Sequence, residues 1–274
     1  MVRAGDRVTF EGPLPESVPL QPAPEPGLAV EVIYLDDNLV ALAKPPGLPS
    51  HPLRAGERGT LANALVARFP ECAAVGEDPR EAGLVHRLDR DTSGLLLAAR
   101  NAATWHSLRQ AFREGRVRKE YVALVAGVIQ VPGEIDLPLA HHPRDHRRMR
   151  VARPGEPGQS ARTQFAPLAS GENWTLLRVQ MSTGRMHQVR VHLAHVGHSL
   201  VGDSLYGGPA WPSGLPGHFL HAWRIALPHP SGNQLLLACP LFQTQQEVLL
   251  HLGATLPEEM SLTEGEGRLV SKEP

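Results

Sequence analysis

Eight short apolar runs separated by turn chemistry constrain this chain more than any other feature. They are Ala29 to Tyr34, Leu39 to Ala43, Leu95 to Ala99, Tyr121 to Val125, Thr163 to Leu168, Trp174 to Met181, Phe219 to Leu227 and Leu235 to Cys239. Runs of this length read as strands. Asp36-Asp37-Asn38 turns the first two into a hairpin, and Pro228 to Asn233 does the same for the last two. Only three segments keep helical spacing. Thr60 caps one with Leu61, Leu65 and Phe69, and Asn101 caps one with Trp105, Leu108 and Phe112 that stops at Gly115. The third runs from about Met186 to Val196, with Gly197 as its stop. Strands outnumber helices and long crossovers are scarce, so the expected class is α+β with a mostly antiparallel sheet.

With 274 residues, 42% hydrophobic and 20% charged, the chain can bury one sizeable core or two modest ones. That excludes a peptide, a collagenous repeat and a wholly disordered chain. No stretch of about 18 apolar residues occurs, and Arg3, Asp6, Arg7 and Glu11 stand where a signal sequence would be apolar. A cytoplasmic protein without membrane attachment is expected. Cys72 and Cys239 lie far apart and exclude a disulfide framework or a cysteine zinc site, so both read as buried structural thiols. Six prolines between Pro13 and Pro26 mark a linker. The expected organisation is a short N-terminal segment over 1–26, one domain over 27–255 and an acidic tail over 256–274.

The net charge of -1 hides an asymmetry. Between Arg109 and Arg153 ten basic residues face five acidic ones, whereas the tail carries mainly glutamates. This permits a nucleic-acid partner without establishing one.

Three polar clusters adjoin apolar runs, where a charge is costly unless it has a partner or a task. They are Lys44-Pro45-Pro46-Gly47-Leu48-Pro49-Ser50-His51, the segment His86-Arg87-Leu88-Asp89-Arg90-Asp91-Thr92-Ser93-Gly94, and Thr183-Gly184-Arg185-Met186-His187-Gln188-Val189-Arg190. The second offers a carboxylate flanked by guanidinium groups, and an Asp paired with an Arg is ionised and oriented. Other chemistries fit poorly. Asp89 and Asp91, two apart in an extended segment, face opposite ways and make a weak glycosidase pair. His187, His192, His195 and His198 match no zinc signature. Gly202 to Gly208 lacks the lysine of a phosphate-binding loop, and Ser93 with His86 lacks a nucleophile elbow.

The segment His86 to Leu95 closely resembles the catalytic motif of the RluA-type pseudouridine synthases. Lys44-Pro45-Pro46-Gly47 is similar to that family's first motif, and Arg118-Lys119-Glu120-Tyr121 to the segment that supplies its active-site tyrosine. Thr183 to His192, with Gly202-Asp203 and Tyr206-Gly207, resembles its third motif, and Leu220-His221-Ala222 is familiar near its end. The resemblance runs in order from about Val30 to Cys239. Val2 to Val8 is similar only to the last turn and strand of the S4-type RNA-binding domain that many members carry.

The resemblance implies the pseudouridine synthase fold, a mostly antiparallel mixed central sheet flanked by helices and loops. It implies conversion of uridine in structured RNA, ribosomal or transfer, to pseudouridine, with no cofactor and no metal. Asp89 would be the catalytic carboxylate, Tyr121 the ring on which a flipped base stacks, and Arg185 the ion-pair partner of Asp89, with Arg190 second choice. Arg87, Arg90, His187, Arg190, Arg116, Arg118, Lys119, Arg147, Arg148 and Arg150 are the expected RNA contacts. A monomer with no obligate protein partner is expected. The competing readings are a catalytically silent RNA-binding protein on the same fold and a nucleosidase, which would need a second carboxylate to activate water.

Overall fold

The computed structural model describes residue 6, residues 19–210 and 217–254, and the backbone of residues 268–269. The S4-like piece, the front of the proline-rich linker and most of the acidic tail lie outside the described residues. The rear of the linker is held down. Asn63 Nδ2 donates to the Ala23 carbonyl at 2.8 Å, and the Glu25 carboxylate accepts from the Gly59 N–H at 2.8 Å.

Each of the eight apolar runs is a strand: β1 (Glu31–Leu35), β2 (Leu39–Lys44), β3 (Ser93–Ala99), β4 (Arg118–Ala126), and, later in the chain, Arg162–Ser170, Trp174–Met181, Leu220–Pro228 and Gln234–Ala238. Three short strands lie between them, β5 (Gly133–Asp136), β6 (Leu139–His141) and β7 (Met149–Val151), so the later four are β8 to β11. A two-residue strand, β12 (Arg268–Leu269), follows. Strands of three or four residues that carry charges show no readable period, which is why the sequence does not announce them.

The main sheet runs β1-β2-β3-β10-β4-β9-β8-β5, with β11 beside the second half of β10 and β12 beside β11. Among the described residues every pairing is antiparallel except the two-residue contact of β10 with β3, so the class is α+β with a mostly antiparallel mixed sheet. Gly94 makes that contact possible. A Cβ there would stand 2.3 Å from the Ala222 carbonyl oxygen, and its φ of +108° is one that side chains rarely adopt.

The helices are α1 (Leu61–Arg68), α2 (Ala102–Arg113), α3 (Gln188–His195) and α4 (Gln243–His251). Thr60 and Asn101 cap the first two as expected. β2 and β3 are buried throughout because opposite faces of the pleat meet different helices. Val40, Leu42, Leu96 and Ala98 pack with Leu61 and Leu65, while Ala41, Ala43, Leu95 and Leu97 pack with Trp105 and Leu108. Each such leucine contributes roughly 1.5 to 3 kcal/mol by leaving water. α4 escapes a sequence reading because its first turn is polar and its buried apolar positions are only Val248 and Leu249. Cys72 and Cys239 are free and buried.

Candidate active site

Asp89 lies in the loop that enters β3, and two partners bracket it. Ser50 Oγ donates to the Leu88 carbonyl at 2.8 Å and accepts from the Leu88 N–H at 3.1 Å. On the other side Lys44, with no exposure, donates to the carbonyls of Arg90, Leu48 and Pro45 at 2.8, 2.8 and 3.0 Å. Burial pulls the Lys44 ammonium down to about 7, and the charges of Asp91 and Asp89 oppose this. Three carbonyl acceptors match the three protons of the charged form, so we read Lys44 as an ammonium. The first polar cluster thus serves the second: it fixes the backbone on either side of Asp89.

The ion-pair partner of Asp89 is Arg190, with Nη1 donating to Oδ2 at 2.9 Å. This corrects the expectation placed on Arg185, which is exposed and donates through Nε to the Ser160 carbonyl at 2.9 Å. The reason is the start of α3. His187 sits in the left-handed region at φ +55°, so the helix begins at Gln188 and not at Met186. Arg190 therefore falls in the first turn, and side chains there lean toward the helix N-terminus, where the Asp89 loop lies. Arg185 is left in the loop outside.

Arg190 is held on its other side by Asp203, which accepts from Nε at 2.7 Å and from Nη2 at 2.9 Å. Asp203 is almost fully buried. A guanidinium clamped by two carboxylates can present only one edge to Asp89. Burial pushes the Asp89 carboxyl up, but His187 and Arg190 outweigh that and hold it below its ordinary value. His187 Nε2 is 3.7 Å from Asp89 Oδ2; burial lowers the imidazole below its own usual pKa, and the charge of Asp89 opposes this. The ring is fixed by a 2.8 Å hydrogen bond between Nδ1 and the Tyr206 hydroxyl, which also accepts from the Met149 N–H at 2.8 Å. Among the described residues Asp89 Oδ1 has no hydrogen-bond partner.

Asp89 opens into a cleft of about 780 Å³ whose walls include Tyr121, Arg87, Leu88, Arg185, Met186 and Leu220. Tyr121 is 5% exposed, belongs to the main core cluster and borders the cleft as well. Burial and the Asp89 charge both raise its phenol, which is protonated at neutral pH. Asp91 does not line the cleft and packs its side chain where a Cβ on Gly217 would fall, so the two aspartates share no site. Ser93 Oγ pairs with His221 at 2.9 Å, while His86 Nε2 accepts the Leu97 N–H at 3.1 Å, so Ser93 and His86 are not partners. His192 bonds Thr163 and the Leu137 carbonyl, and His198 the Ala126 carbonyl.

The remaining expected RNA contacts divide. Arg87 lines the cleft and is exposed, and Lys119 lines it at the other end. Arg90 and Arg118 are exposed outside it, Arg90 donating to the Gly47 carbonyl at 3.0 Å. Arg116 pairs with Glu114 at 2.6 Å. On the β6–β7 hairpin Arg147 pairs with Asp145 at 3.0 Å, Arg150 with Glu156, and Arg148 stacks 5.6 Å from the centre of the Tyr206 ring. Sequence reasoning quoted Lys44, Ser50, Asp203 and Tyr206 without giving them roles. Their signal was polar residues beside apolar runs.

A family model described as RNA pseudouridylate synthase matches residues 38–195. The chain is similar to an uncharacterised RNA pseudouridine synthase of Synechocystis sp., 34% identical over 260 residues, 94% of this chain and 78% of that protein. It is also similar to ribosomal large subunit pseudouridine synthase D of Nitrosomonas europaea, 39% identical over 217 residues, 77% of this chain and 61% of that protein. Among solved structures, human RNA pseudouridylate synthase domain containing 4 superposes with a TM-score of 0.67 at 27% identity, covering 83% of this chain and 94% of that one.

Proposed function

The chain belongs to the RNA pseudouridylate synthase family, of the RluA type, which isomerises uridine in RNA to pseudouridine; we propose that Asp89 is the carboxylate that carries this reaction here. The observation behind the proposal is a carboxylate in the cleft with one oxygen held by Arg190 and the other unpartnered. The reaction breaks the bond between N1 of uracil and the sugar, turns the base, and joins the sugar to C5, which gives up its proton while N1, freed of the sugar, gains one. A single ionised group at the bond that breaks meets that need.

Arg190 and Asp203 act as positioning residues: they keep Asp89 charged and aimed while the base turns. The target uridine must leave its stack, at a cost of a few kcal/mol. Tyr121 offers a face to the extruded base, worth about 1 to 3 kcal/mol. Arg87 and, on the β6–β7 hairpin, Arg148 would hold the RNA backbone without reading its sequence. We assign this catalytic unit to residues 27–255. Since the Nitrosomonas relative is named for the large ribosomal subunit, large-subunit ribosomal RNA is the substrate proposed first, with transfer RNA second.

Asp89→Asn is the test, because it keeps the shape and removes the charge. Pseudouridine formation should fall by about a thousandfold or more on RNA from a strain lacking this protein, with RNA affinity nearly unchanged. Turnover within about tenfold of wild type would overturn the assignment.

A further inference from the structure

Away from Asp89, the cleft is walled by Lys119, at the start of β4, and Arg109, on α2. Lys119 and Tyr121 are two residues apart on the strand, so their side chains leave the same face about 7 Å apart. Lys119 Nζ has no hydrogen-bond or ion-pair partner among the described residues. Nζ lies 5.8 Å from the centre of the Phe112 ring and beside the main chain at Gly184, where an added Cβ would stand 3.0 Å from it. Arg109 donates one Nη1 proton to the Val85 carbonyl at 3.1 Å and lies over Trp105, but its Nε is buried without a partner. His86 lies near both and gives them no counter-charge. Glu120, the neighbour of Lys119 in sequence, faces the other side of the sheet and accepts from Gln180 at 2.8 Å. Asp89 is already engaged by Arg190.

A half-buried cation without a counter-ion is costly to fold around. We propose that Lys119 and Arg109 form an anion subsite that takes a phosphate of the target nucleotide itself, fixing the extruded uridine by its backbone while Tyr121 and Asp89 meet its base and sugar. The inference rests on the reading of the cleft as the uridine site. It gives Lys119 a task distinct from that of the outer arginines, which grip the RNA at large. The spacing fits, since one nucleotide spans the distance from a stacked base to its own phosphate. Burial draws the Lys119 ammonium down to about 8, which leaves it mostly charged at neutral pH.

The test compares binding of uridine and of uridine 3′,5′-bisphosphate, by ligand-observed NMR at low salt. Wild type should bind the bisphosphate at least about tenfold more tightly than the nucleoside. Lys119→Met should remove most of that advantage and leave uridine binding unchanged, and Lys119→Arg should keep it. Lys119→Met should also unfold no lower in temperature than wild type, because an apolar chain of similar length replaces an unpaired cation. Arg109→Gln, on a different element, should lose part of the same advantage. Equal binding of the two probes by wild type, or an advantage that survives both charge-removing variants, would overturn the subsite. Pseudouridine formation on ribosomal RNA, read in parallel, separates the two ideas. Its absence in wild type counts against the reaction, whereas a phosphate advantage confined to wild type and Lys119→Arg stands on its own.

Discussion

The two ends of the cleft handle charge in opposite ways. At one end Asp89, Arg190 and Asp203 close on one another, with Arg190 between two carboxylates at 2.7 to 2.9 Å. At the other, Lys119 and Arg109 face the same space with no carboxylate partner among the described residues. The difference separates two uses of a charge. Where a group must stand in one geometry, the fold surrounds it with fixed counter-charges, and the desolvation of each ion is offset inside the network. Where a group must meet a ligand, a counter-charge in the protein would compete, so the fold omits it and carries the cost.

Removing a counter-charge from the closed end should have the largest effect. Asp203→Asn keeps the size but leaves Arg190 with one acceptor in place of a bidentate pair. Single-turnover rates should fall by about a hundredfold with RNA affinity nearly unchanged, and breaking this buried pair should cost roughly 3 to 5 kcal/mol of stability in urea denaturation. A rate within threefold of wild type would mean that Arg190 is aimed without Asp203, and the contrast between the ends would lose its basis.

Acid should act next. His218, behind the closed end on Thr92 at 2.8 Å, and His221, on β10 beside Ser93 of β3, are both held to about 4 by burial. His86, at the open end, is held to about 3 by burial and then by Lys119 and Arg109. Between these values and the unfolded pKa of about 6.5, the unfolded chain binds protons that the native chain refuses. Stability is therefore full above about 6.5 and is lost as pH falls toward 4, by roughly 2 kcal/mol per histidine at pH 5. Urea midpoints at pH 7 and pH 5 measure this, and a midpoint that does not move would mean these rings titrate freely. Lys119→Met should let His86 titrate at higher pH, visible in its ring-proton NMR shift, while His218 stays where it is.

The smallest effect is expected on the β6–β7 hairpin. Arg147 is 83% exposed and pairs with Asp145, and Arg150 is bound to Glu156, so neither presents the free charge that the sequence suggests. Replacing Arg147, Arg148 and Arg150 together should lower the slope of log affinity against log salt by about 1, and not by the roughly 3 that three free phosphate contacts would lose. A change near 3 in filter binding would show that RNA displaces these acids, and the hairpin would then belong with the open end.

Much of this was legible in the residues. Apolar runs of strand length named the sheet, and Thr60 and Asn101 named two helix starts, because caps and pleats are local properties. Asp89 stood out as a charge set against an apolar strand. The choice between Arg185 and Arg190 was not legible, since both stand in one motif and a left-handed residue at His187 decides which of them enters the helix. Nor was the work of Lys44, whose three carbonyl partners include one 46 residues away.

The sequence by itself determined eight of the strands, the α+β class and, through its resemblance, the reaction, and it singled out Asp89 as the candidate carboxylate. Only the tertiary structure decided which cation meets Asp89, what brackets its loop and which charges remain unpaired. Asp89 and Arg190 are 101 residues apart. Pairing at that separation depends on where the sheet returns the chain and on which groups burial has already matched, and no local spacing encodes either.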